Sequence, residues 1–385
     1  MNNPRPDHAA AGARLTIDLG AIADNWRQLD RMAGAAECAA VVKADAYGLG
    51  IERVVPALWT AGCRTFFVAL PDEGMRVRKA APDAIIYALA GYFADAPDLY
   101  RHHALRPVIN MEIDAWLKAG REDRLAYAVQ LETGMNRLGM PISDYDRLQA
   151  SGVLGDYQPS LLISHLACAD TPHHALNALQ QQRFRSAVEN HPCKCTSLAN
   201  SAGIFLGPDY HYDLVRPGIA LYGGACTDAQ IADNPMRPVI SLEARILQLK
   251  TVKPGETIGY GGAETARPSP HSGSDQRLVA TLAAGYADGY LRSAGSSDRR
   301  RGGCAAWRGI RIPIIGRVSM DLISVDLTDH PEVAQLQDGR WSDEWIELIG
   351  PAVPLDDIAG AAGSIGYEML TGLGDRYHRT YINGL

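Results

Sequence analysis

The sequence predicts an α/β protein in which an N-terminal (β/α)8 barrel of the TIM type is followed by a mostly β C-terminal domain. Three observations support this prediction. Short apolar runs alternate with helical patterns over the first two-thirds of the 385 residues. After about Pro238 the alternation stops, and strand-like segments punctuated by Gly and Pro take over. Hydrophobic residues make up 46% of the chain, which is enough to give each of two domains a core.

Eight apolar runs in the first part of the chain are typical of buried strands. The segments between them suit helices, since Ile51–Ala61 and Leu176–Glu189 both carry apolar residues at helical spacing. Eight strands alternating with helices favour a closed barrel. A doubly wound open sheet is the alternative, but it would more often show fewer strands and a Gly-rich nucleotide loop, and no G-x-G-x-x-G follows the first run. The runs are Ala39–Val42, Thr65–Leu70, Ala84–Leu89, Arg106–Ile109, Ala126–Leu131, Leu161–Leu166, Thr196–Ala199 and Asp213–Arg216.

The C-terminal domain is predicted from four strand-like segments, which are SLEARILQLKTV, RLVATLAAGYADGY, RIPIIGRVSMDLISVDL and WIELIG. Turn residues separate them, as at Pro254-Gly255 and Gly261-Gly262. We therefore expect a disordered N-terminal extension over residues 1–12, a barrel domain over 13–238 and a β-rich domain over 239–385.

Composition and charge exclude several classes of function. The net charge is −7, and a protein that binds a phosphate backbone would normally carry a basic face, so we expect no nucleic-acid partner. No apolar run approaches the ~20 residues of a membrane span, and the N-terminus lacks the apolar core of a secretory signal. The seven cysteines are scattered and lack zinc-site spacing. Free thiols in a cytoplasmic protein without a metal site are the expectation.

Residues with chemical capability follow several of the predicted barrel strands. Lys43 ends the first run, Arg137 and His165 follow later ones, and Arg216 ends the last. Catalytic groups of barrel enzymes lie at the C-terminal ends of strands. A lysine there can form a Schiff base with the carbonyl of a sugar substrate or with that of pyridoxal phosphate. The second option needs a phosphate cradle, for which the segments 200–203 and 217–220 are suitable.

Eight motifs in chain order carry a resemblance to a known family. They are VVKADAYGLG, ETGMNRLG, SHLACAD, NSAG, VRPGIALYG, AGYADGY, GRVSMDL and GYEMLTGLG, spread between Leu15 and Tyr381. Together they resemble the motifs of alanine racemase, a fold-type III enzyme that uses pyridoxal 5'-phosphate. The resemblance implies a pyridoxal-phosphate-binding barrel and a head-to-tail homodimer. Each active site would combine the barrel of one subunit with the β domain of its partner.

The resemblance also implies roles for individual residues. Lys43 would bind the cofactor covalently and act as one of two catalytic bases, and the partner subunit's Tyr286 would be the other. Arg137 and the Met320 backbone N–H would bind the substrate carboxylate. Asp170, Tyr286 and Tyr367 would line the entrance. The implied cofactor-binding residues are Lys43, Tyr47, Arg137, His165, Asn200, Ser201, Arg216, Gly218, Ile219 and Tyr367.

The chemistry of racemisation agrees with these residue types. Two bases on opposite faces of Cα remove a proton from one side and return one to the other without turning the substrate. Free Tyr and Lys have pKa values of about 10 and 10.4, so burial and cationic neighbours must favour their deprotonated forms. An arginine facing the pyridine nitrogen, as implied for Arg216, keeps its own proton. That weakens the cofactor as an electron sink and favours racemisation over side reactions.

Gln130 departs from the pattern of the family, in which a lysine at this position is often carbamylated and braces the arginine that corresponds to Arg137. A neutral amide cannot supply that negative charge. Glu132, a chloride ion or water are the alternatives, and we expect a bound halide or an ordered water to contact Arg137.

Other functions stay open at this point. A broad-spectrum amino-acid racemase has the same motifs. Ornithine or diaminopimelate decarboxylases of the same fold type favour an acidic partner for the pyridine nitrogen and a glycine-triplet phosphate loop, neither of which this sequence has. A carrier of pyridoxal phosphate without turnover would usually be a barrel alone. For a racemase, both supply of D-alanine for peptidoglycan and alanine catabolism are compatible with the sequence.

Overall fold

A computed structural model describes residues 10–111, 113–121, 124–227, 233–337 and 341–384. The chain divides into two compact units. One unit is Gly20–Arg237, and the other joins the segment up to Leu19 to Pro238–Gly384. Most of the predicted disordered extension, residues 1–9, lies outside the described residues. Gly12 is described, and its carbonyl oxygen accepts a hydrogen bond of 2.9 Å from the Arg245 N–H.

The strands and helices alternate in the first unit and give way to strands in the second. The strands are β1 Ala13–Asp18, β2 Glu37–Cys38, β3 Ala40–Val41, β4 Thr65–Val68, β5 Ile85–Ala88, β6 Leu105–Ile109, β7 Ala128–Glu132, β8 Met140–Pro141, β9 Leu161–Ile163, β10 Thr196–Ser197, β11 Leu214–Val215, β12 Ile240–Val252, β13 Thr257–Ile258, β14 Glu264–Thr265, β15 Arg277–Leu282, β16 Cys304–Trp307, β17 Ile310–Pro313, β18 Ile323–Asp326, β19 Trp345–Ile349 and β20 His378–Ile382. The helices are α1 Leu19–Ala33, α2 Lys43–Tyr47, α3 Ile51–Ala61, α4 Pro71–Ala80, α5 Pro97–His102, α6 Ile113–Gly120, α7 Ile142–Ala150, α8 Ala175–Asn190, α9 Ser201–Phe205, α10 Ala334–Gln337, α11 Leu355–Ala361 and α12 Gly366–Gly372.

The barrel prediction is confirmed, because all eight predicted strands are present and parallel. Strands β3, β4, β5, β6, β7, β9 and β10 pair in that order. The last strand, β11, pairs with β2, which continues into β3. A parallel bridge between Asn200 and Arg216, with the Arg216 N–H donating to Ala199 O at 2.9 Å, joins β10 to β11. The strand ends that carry chemical side chains therefore share one rim.

Helices α3 and α8 confirm the two helical segments predicted between strands. Helix α3 ends at Gly62, whose φ of 125° lies in the left-handed region that favours glycine. Its buried face follows the helical period and consists of Ile51, Val54, Val55 and Leu58.

The second unit is built on a mixed sheet with strand order β17-β16-β19-β12-β1-β20, in which β1 and β20 are parallel and the other neighbours antiparallel, and β15 pairs with both β12 and β18. The four predicted β segments are found here as β12, β15, β17 with β18, and β19. The predicted domain boundary at residue 13 is wrong in one respect, because β1 belongs to this sheet rather than to the barrel. In β1, Leu15 pairs with Leu242 of β12 on one side and with Arg379 of β20 on the other.

No helix in the part of the chain that the structure describes combines the length and the apolar character needed to cross a membrane.

Candidate active site

Lys43 follows strand β3 at the barrel rim and begins α2, which is an unusual left-handed turn and not a right-handed α-helix. The four residues after it, Ala44–Tyr47, all have φ between 52° and 56°. This is the left-handed region, which costs a non-glycine residue roughly 1–2 kcal/mol. Gly48, at φ 80°, closes the turn with a 2.7 Å bond from its N–H to Ala44 O. Such strain persists only where the surroundings fix it, and it is typical of functional sites.

The Lys43 ammonium has an environment that favours its neutral form. Burial lowers the pKa of Lys43 below its ordinary value, and the nearby Arg137 guanidinium lowers it further, while Glu73 acts in the opposite direction. A lysine with a lowered pKa is a better nucleophile and base at neutral pH. The structure thus brings together Lys43 and Arg137, two of the residues predicted from the sequence.

Arg137 lies on the loop after β7, and its side chain is exposed. Within the described residues it forms no ion pair. The loop itself is held by two side chains of β7. Gln130 Nε2 donates to Leu138 O at 2.8 Å, and Glu132 accepts from the backbone N–H of Gly134 and, at 2.8 Å, from that of Asn136. Glu132 therefore secures the backbone of the loop, and the halide or water expected at Arg137 stays a prediction.

Arg216 directly follows β11, and it is buried, with 4% of its surface exposed. Its Nη2 donates to Ser164 O at 2.6 Å and to Leu198 O at 3.4 Å, and its Nη1 donates to Ser197 Oγ. Burial lowers the pKa of Arg216 to about 10, so it stays protonated at neutral pH. All these acceptors are neutral, and no carboxylate pairs with Arg216 in the described parts of the chain.

His165 follows β9 on the same rim. Burial lowers the pKa of His165 to about 3, and the charges of Arg216, Arg137 and Lys43 add to the effect. The imidazole is therefore neutral at physiological pH, and one ring nitrogen is free to accept a hydrogen bond. Arg216 therefore lies close enough to His165 for its charge to act on the imidazole.

The loops after β10 and β11 form a cradle of hydrogen-bond donors. Ser201 Oγ accepts from the N–H of Gly218 at 2.7 Å and from the N–H of Ala220 at 3.4 Å, which leaves the Ser201 hydroxyl proton to donate elsewhere. The Ile219 N–H between them has no acceptor among the described residues. A Cβ on Gly218 would lie 2.2 Å from the hydroxyl oxygen of Tyr47, so only glycine fits. Tyr47 is held in place by stacking on Tyr222, with ring centroids 4.5 Å apart.

These donors suit pyridoxal phosphate. The cradle offers a hydroxyl proton and an unpaired backbone N–H to a phosphate, and Lys43 and Arg216 offer an amine and a fixed N–H donor to the ring system. Asn200 is already engaged, because its Oδ1 accepts from Gly203 N at 2.9 Å and caps helix α9. Asp170 is exposed and accepts from Thr171 N at 3.1 Å, which is a local turn contact.

The three remaining predicted residues belong to the β unit. Tyr286 lies on the turn after β15 and Met320 on the loop before β18. The N–H of Tyr286 donates to Ser319 O at 3.0 Å, and that of Ala287 donates to Met320 O at 2.9 Å. Tyr286 and Met320 are 40% and 53% exposed, and Tyr367, on α12, is 38% exposed. The Met320 N–H has no acceptor among the described residues and is available to a ligand.

The structure adds residues that sequence reasoning missed. Arg376 joins the Tyr286 turn to the Met320 loop, with its Nε 3.1 Å from Asp288 Oδ1 and its Nη1 2.8 Å from Asp321 Oδ1. Glu73 accepts from the Ala44 N–H at 2.6 Å in the turn after Lys43. An acidic residue three positions into a helix usually signals only a capping box, so the sequence alone gives no reason to link Glu73 to Lys43.

Known proteins are similar to this chain along nearly its whole length. Residues 17–226 match a family model described as alanine racemase, N-terminal domain, and residues 239–381 match the corresponding C-terminal domain. An alanine racemase of Methylobacterium nodulans is 49% identical over 377 residues, 97% of each chain.

Two solved structures are similar along nearly their full length. Alanine racemase from Bartonella henselae, described with covalently bound pyridoxal phosphate, has a TM-score of 0.86 and 35% identity, and the match covers 97% of this chain and 100% of that one. The biosynthetic alanine racemase from Pseudomonas aeruginosa has a TM-score of 0.87 and 34% identity over 96% and 99% of the two chains. Both domain models and a relative of nearly half-identical sequence agree, and the chain belongs to the alanine racemase family.

Proposed function

We propose that the protein interconverts L-alanine and D-alanine in the cytoplasm, with pyridoxal phosphate bound to Lys43. The observation that carries this proposal is the grouping of Lys43, Arg216 and the Ser201–Ile219 cradle on one barrel rim. When bound, the cofactor withdraws electrons from the amino acid joined to it and makes the Cα proton acidic. Ser201, Ile219, Tyr47 and Tyr367 would hold the cofactor phosphate, with the Ser201 hydroxyl and the Ile219 N–H as donors.

The protein works as a homodimer in this proposal. The exposed side chain of Tyr286 suits a residue that completes its environment in another subunit. Lys43 Nζ stands on one face of Cα, and the partner subunit's Tyr286 stands on the other. As the Cα–H bond breaks on one face, the base on that side takes the proton, and the opposite group donates its own proton to Cα. Configuration is inverted, and the two bases exchange protonation states.

The other residues of the site bind and orient the substrate and the cofactor. Arg137 and the Met320 N–H hold the substrate carboxylate, so that the Cα–H bond faces a base. Arg216 remains protonated at neutral pH, because its pKa is lowered only to about 10, and it can therefore donate a hydrogen bond to the ring nitrogen without giving up its proton. Neutral His165 would join Arg216 to the partner subunit's Tyr286. Asp170, Tyr286 and Tyr367 narrow the entrance and set the size of the side chain admitted.

The proposal is tested by incubating the purified protein with L-alanine or D-alanine in deuterated water. Loss of optical rotation and replacement of the Cα proton in both enantiomers are expected. Absence of both refutes the proposal, release of carbon dioxide indicates a decarboxylase, and equal rates with larger amino acids indicate a broad-spectrum racemase. In Tyr286→Phe, proton removal from one enantiomer should fall far more than from the other, which identifies the enantiomer served by Lys43.

A further inference from the structure

Two side chains of the neighbouring helix α4 bond to the left-handed turn after Lys43. Glu73 Oε1 accepts from the N–H of Ala44, the first left-handed residue, at 2.6 Å. The other carboxylate oxygen, Oε2, accepts from the N–H of Ala69 at 2.8 Å and of Leu70 at 3.2 Å. One carboxylate therefore joins the turn that follows the first barrel strand to the end of the next strand, β4.

A second side chain of the same helix holds the middle of the turn. Arg76 Nη2 donates to Asp45 Oδ1 at 2.5 Å, and the same oxygen accepts from the Ile51 N–H at 3.0 Å. Arg76 also binds both carboxylate oxygens of Glu52, at 2.6 and 2.7 Å, which fixes the plane of its guanidinium. Asp45 thereby connects the turn to the start of helix α3.

Helix α4 is well placed to act as the support. Glu73 and Arg76 are three residues apart and so lie on one face of the helix. Another face, with Gly74 and Val77, is buried. A Cβ on Gly74 would lie 2.9 Å from Leu105 Cδ2, so the helix packs closely on the barrel. A rigid, packed helix thus presents two charged groups to a strained segment that could not hold its shape alone.

We propose that Glu73 and Arg76 are positioning residues that hold the Ala44–Tyr47 turn, and with it the backbone of Lys43, in the geometry needed for attachment of the cofactor and for proton transfer on one face of Cα. The inference rests on the proposed function of Lys43. Glu73 has a second effect, because its charge opposes the action of burial and of Arg137 on the pKa of Lys43. Loss of Glu73 should therefore both misplace the lysine and change its proton affinity.

Two variants and a control distinguish misplacement of Lys43 from a general loss of stability. Glu73→Gln removes the charge and one of the two acceptor oxygens. Asp45→Asn is milder, since it keeps an acceptor for the Ile51 N–H but loses the ion pair with Arg76. The matched control is Arg78→Met, on the same helix, whose guanidinium donates to His103 O at 2.9 Å and Ala84 O at 2.8 Å and contacts no residue of the turn.

Each variant is purified with pyridoxal phosphate. Two readouts are then compared at temperatures that lie the same interval below the Tm of each variant. The first is retention of the cofactor, from the visible absorption after gel filtration and from the mass of the Lys43 peptide after borohydride treatment. The second is exchange of the Cα proton of each alanine enantiomer. Glu73→Gln should retain less cofactor and, per bound cofactor, slow exchange of the Lys43-face enantiomer about tenfold to a hundredfold, the range expected for a misplaced catalytic group. Asp45→Asn should show the same pattern more weakly, and Arg78→Met should not show it.

Equal slowing of both enantiomers with unchanged absorption in Glu73→Gln and Asp45→Asn would overturn the inference, because a purely structural role has that signature. Unchanged exchange and retention in both would overturn it as well. Failure of the proposed function looks different, since the unmodified protein would then exchange neither enantiomer.

Discussion

Gln130 donates a hydrogen bond from Nε2 to the carbonyl oxygen of Leu138 at 2.8 Å. Leu138 directly follows Arg137, so this bond fixes the backbone of the residue proposed to bind the substrate carboxylate. The sequence indicated that Gln130 leaves the Arg137 guanidinium without the negatively charged group that the family has at this position. In the structure it braces the loop through the main chain, a role that needs an amide donor and no charge.

Gln130→Leu should therefore weaken substrate binding more than it slows turnover. It removes the donor to Leu138 O at nearly constant side-chain size, and the loss of one such bond corresponds to roughly a fivefold to tenfold rise in KM for alanine. Steady-state kinetics in both directions measure it. The control is Gln149→Leu on helix α7, which removes hydrogen bonds to Tyr145 and Gln158. A KM equal in Gln130→Leu and the unmodified protein would contradict the prediction.

Gly218→Ala should disrupt the phosphate cradle, because the added Cβ would lie 2.2 Å from the Tyr47 hydroxyl oxygen and 3.1 Å from Cζ of its ring. We expect at least a tenfold loss of affinity when the variant stripped of cofactor is titrated with pyridoxal phosphate. The double variant Gly218→Ala/Tyr47→Phe removes the closer of the two contacts and should regain part of the affinity. If the double variant is no better than the sum of the singles, the contact with Tyr47 is not the cause.

Arg376→Met should impair Tyr286 selectively. Asp288 is 4% exposed, and burial raises its pKa while Arg376 opposes the rise. Because Arg376 is itself half exposed, we expect a loss of only about 1–2 kcal/mol in stability, less than for a fully buried pair. Proton removal on the Tyr286 face should slow about tenfold. The control Arg308→Met breaks an ion-pair cluster with Glu332 and Glu344 in the same unit and should leave both exchange rates unchanged.

His165→Asn should flatten the pH dependence of stability on the acid side. The pKa of His165 is lowered from 6.5 to about 3, so between these values the unfolded chain binds a proton that the folded chain does not. Stability therefore falls as the pH drops through this window, with a slope of at most about 1.4 kcal/mol per pH unit from this group. Urea unfolding at fixed protein concentration from pH 7 to 4 measures it. An unaltered slope in His165→Asn would show that the group does not contribute.

The barrel could be predicted because its strands are short continuous apolar runs, and the ends of those runs marked Lys43, His165 and Arg216 as neighbours. Strand β1 could not be assigned correctly. ARLTID alternates buried and half-buried residues in the structure, as a strand with one buried face does, but it lies next to a helix in sequence and its partners lie more than two hundred residues away. Periodicity shows that a strand exists and says nothing about which sheet it joins.

The conformation after Lys43 was equally inaccessible to sequence reasoning. The glycines at positions 48 and 50 predicted a turn, and Gly48 does close one. Four successive left-handed residues of types that normally avoid this region could not be expected from ADAY, because the forces that hold them come from Glu73 and Arg76 on another element. Local propensity is overridden where tertiary contacts are strong, which is most common near functional groups.

The place of strand β1 in the sheet also fixes when it can form its hydrogen bonds during synthesis. It is made early during synthesis, yet both strands that flank it, β12 and β20, are made only after the whole barrel. The barrel strands can pair while the ribosome is still at work, whereas Ala13–Asp18 must wait with its backbone donors and acceptors unpaired. A ribosome stalled before His378 would leave a finished barrel tethered to a sheet in which β1 still has one open edge, and such an edge favours aggregation.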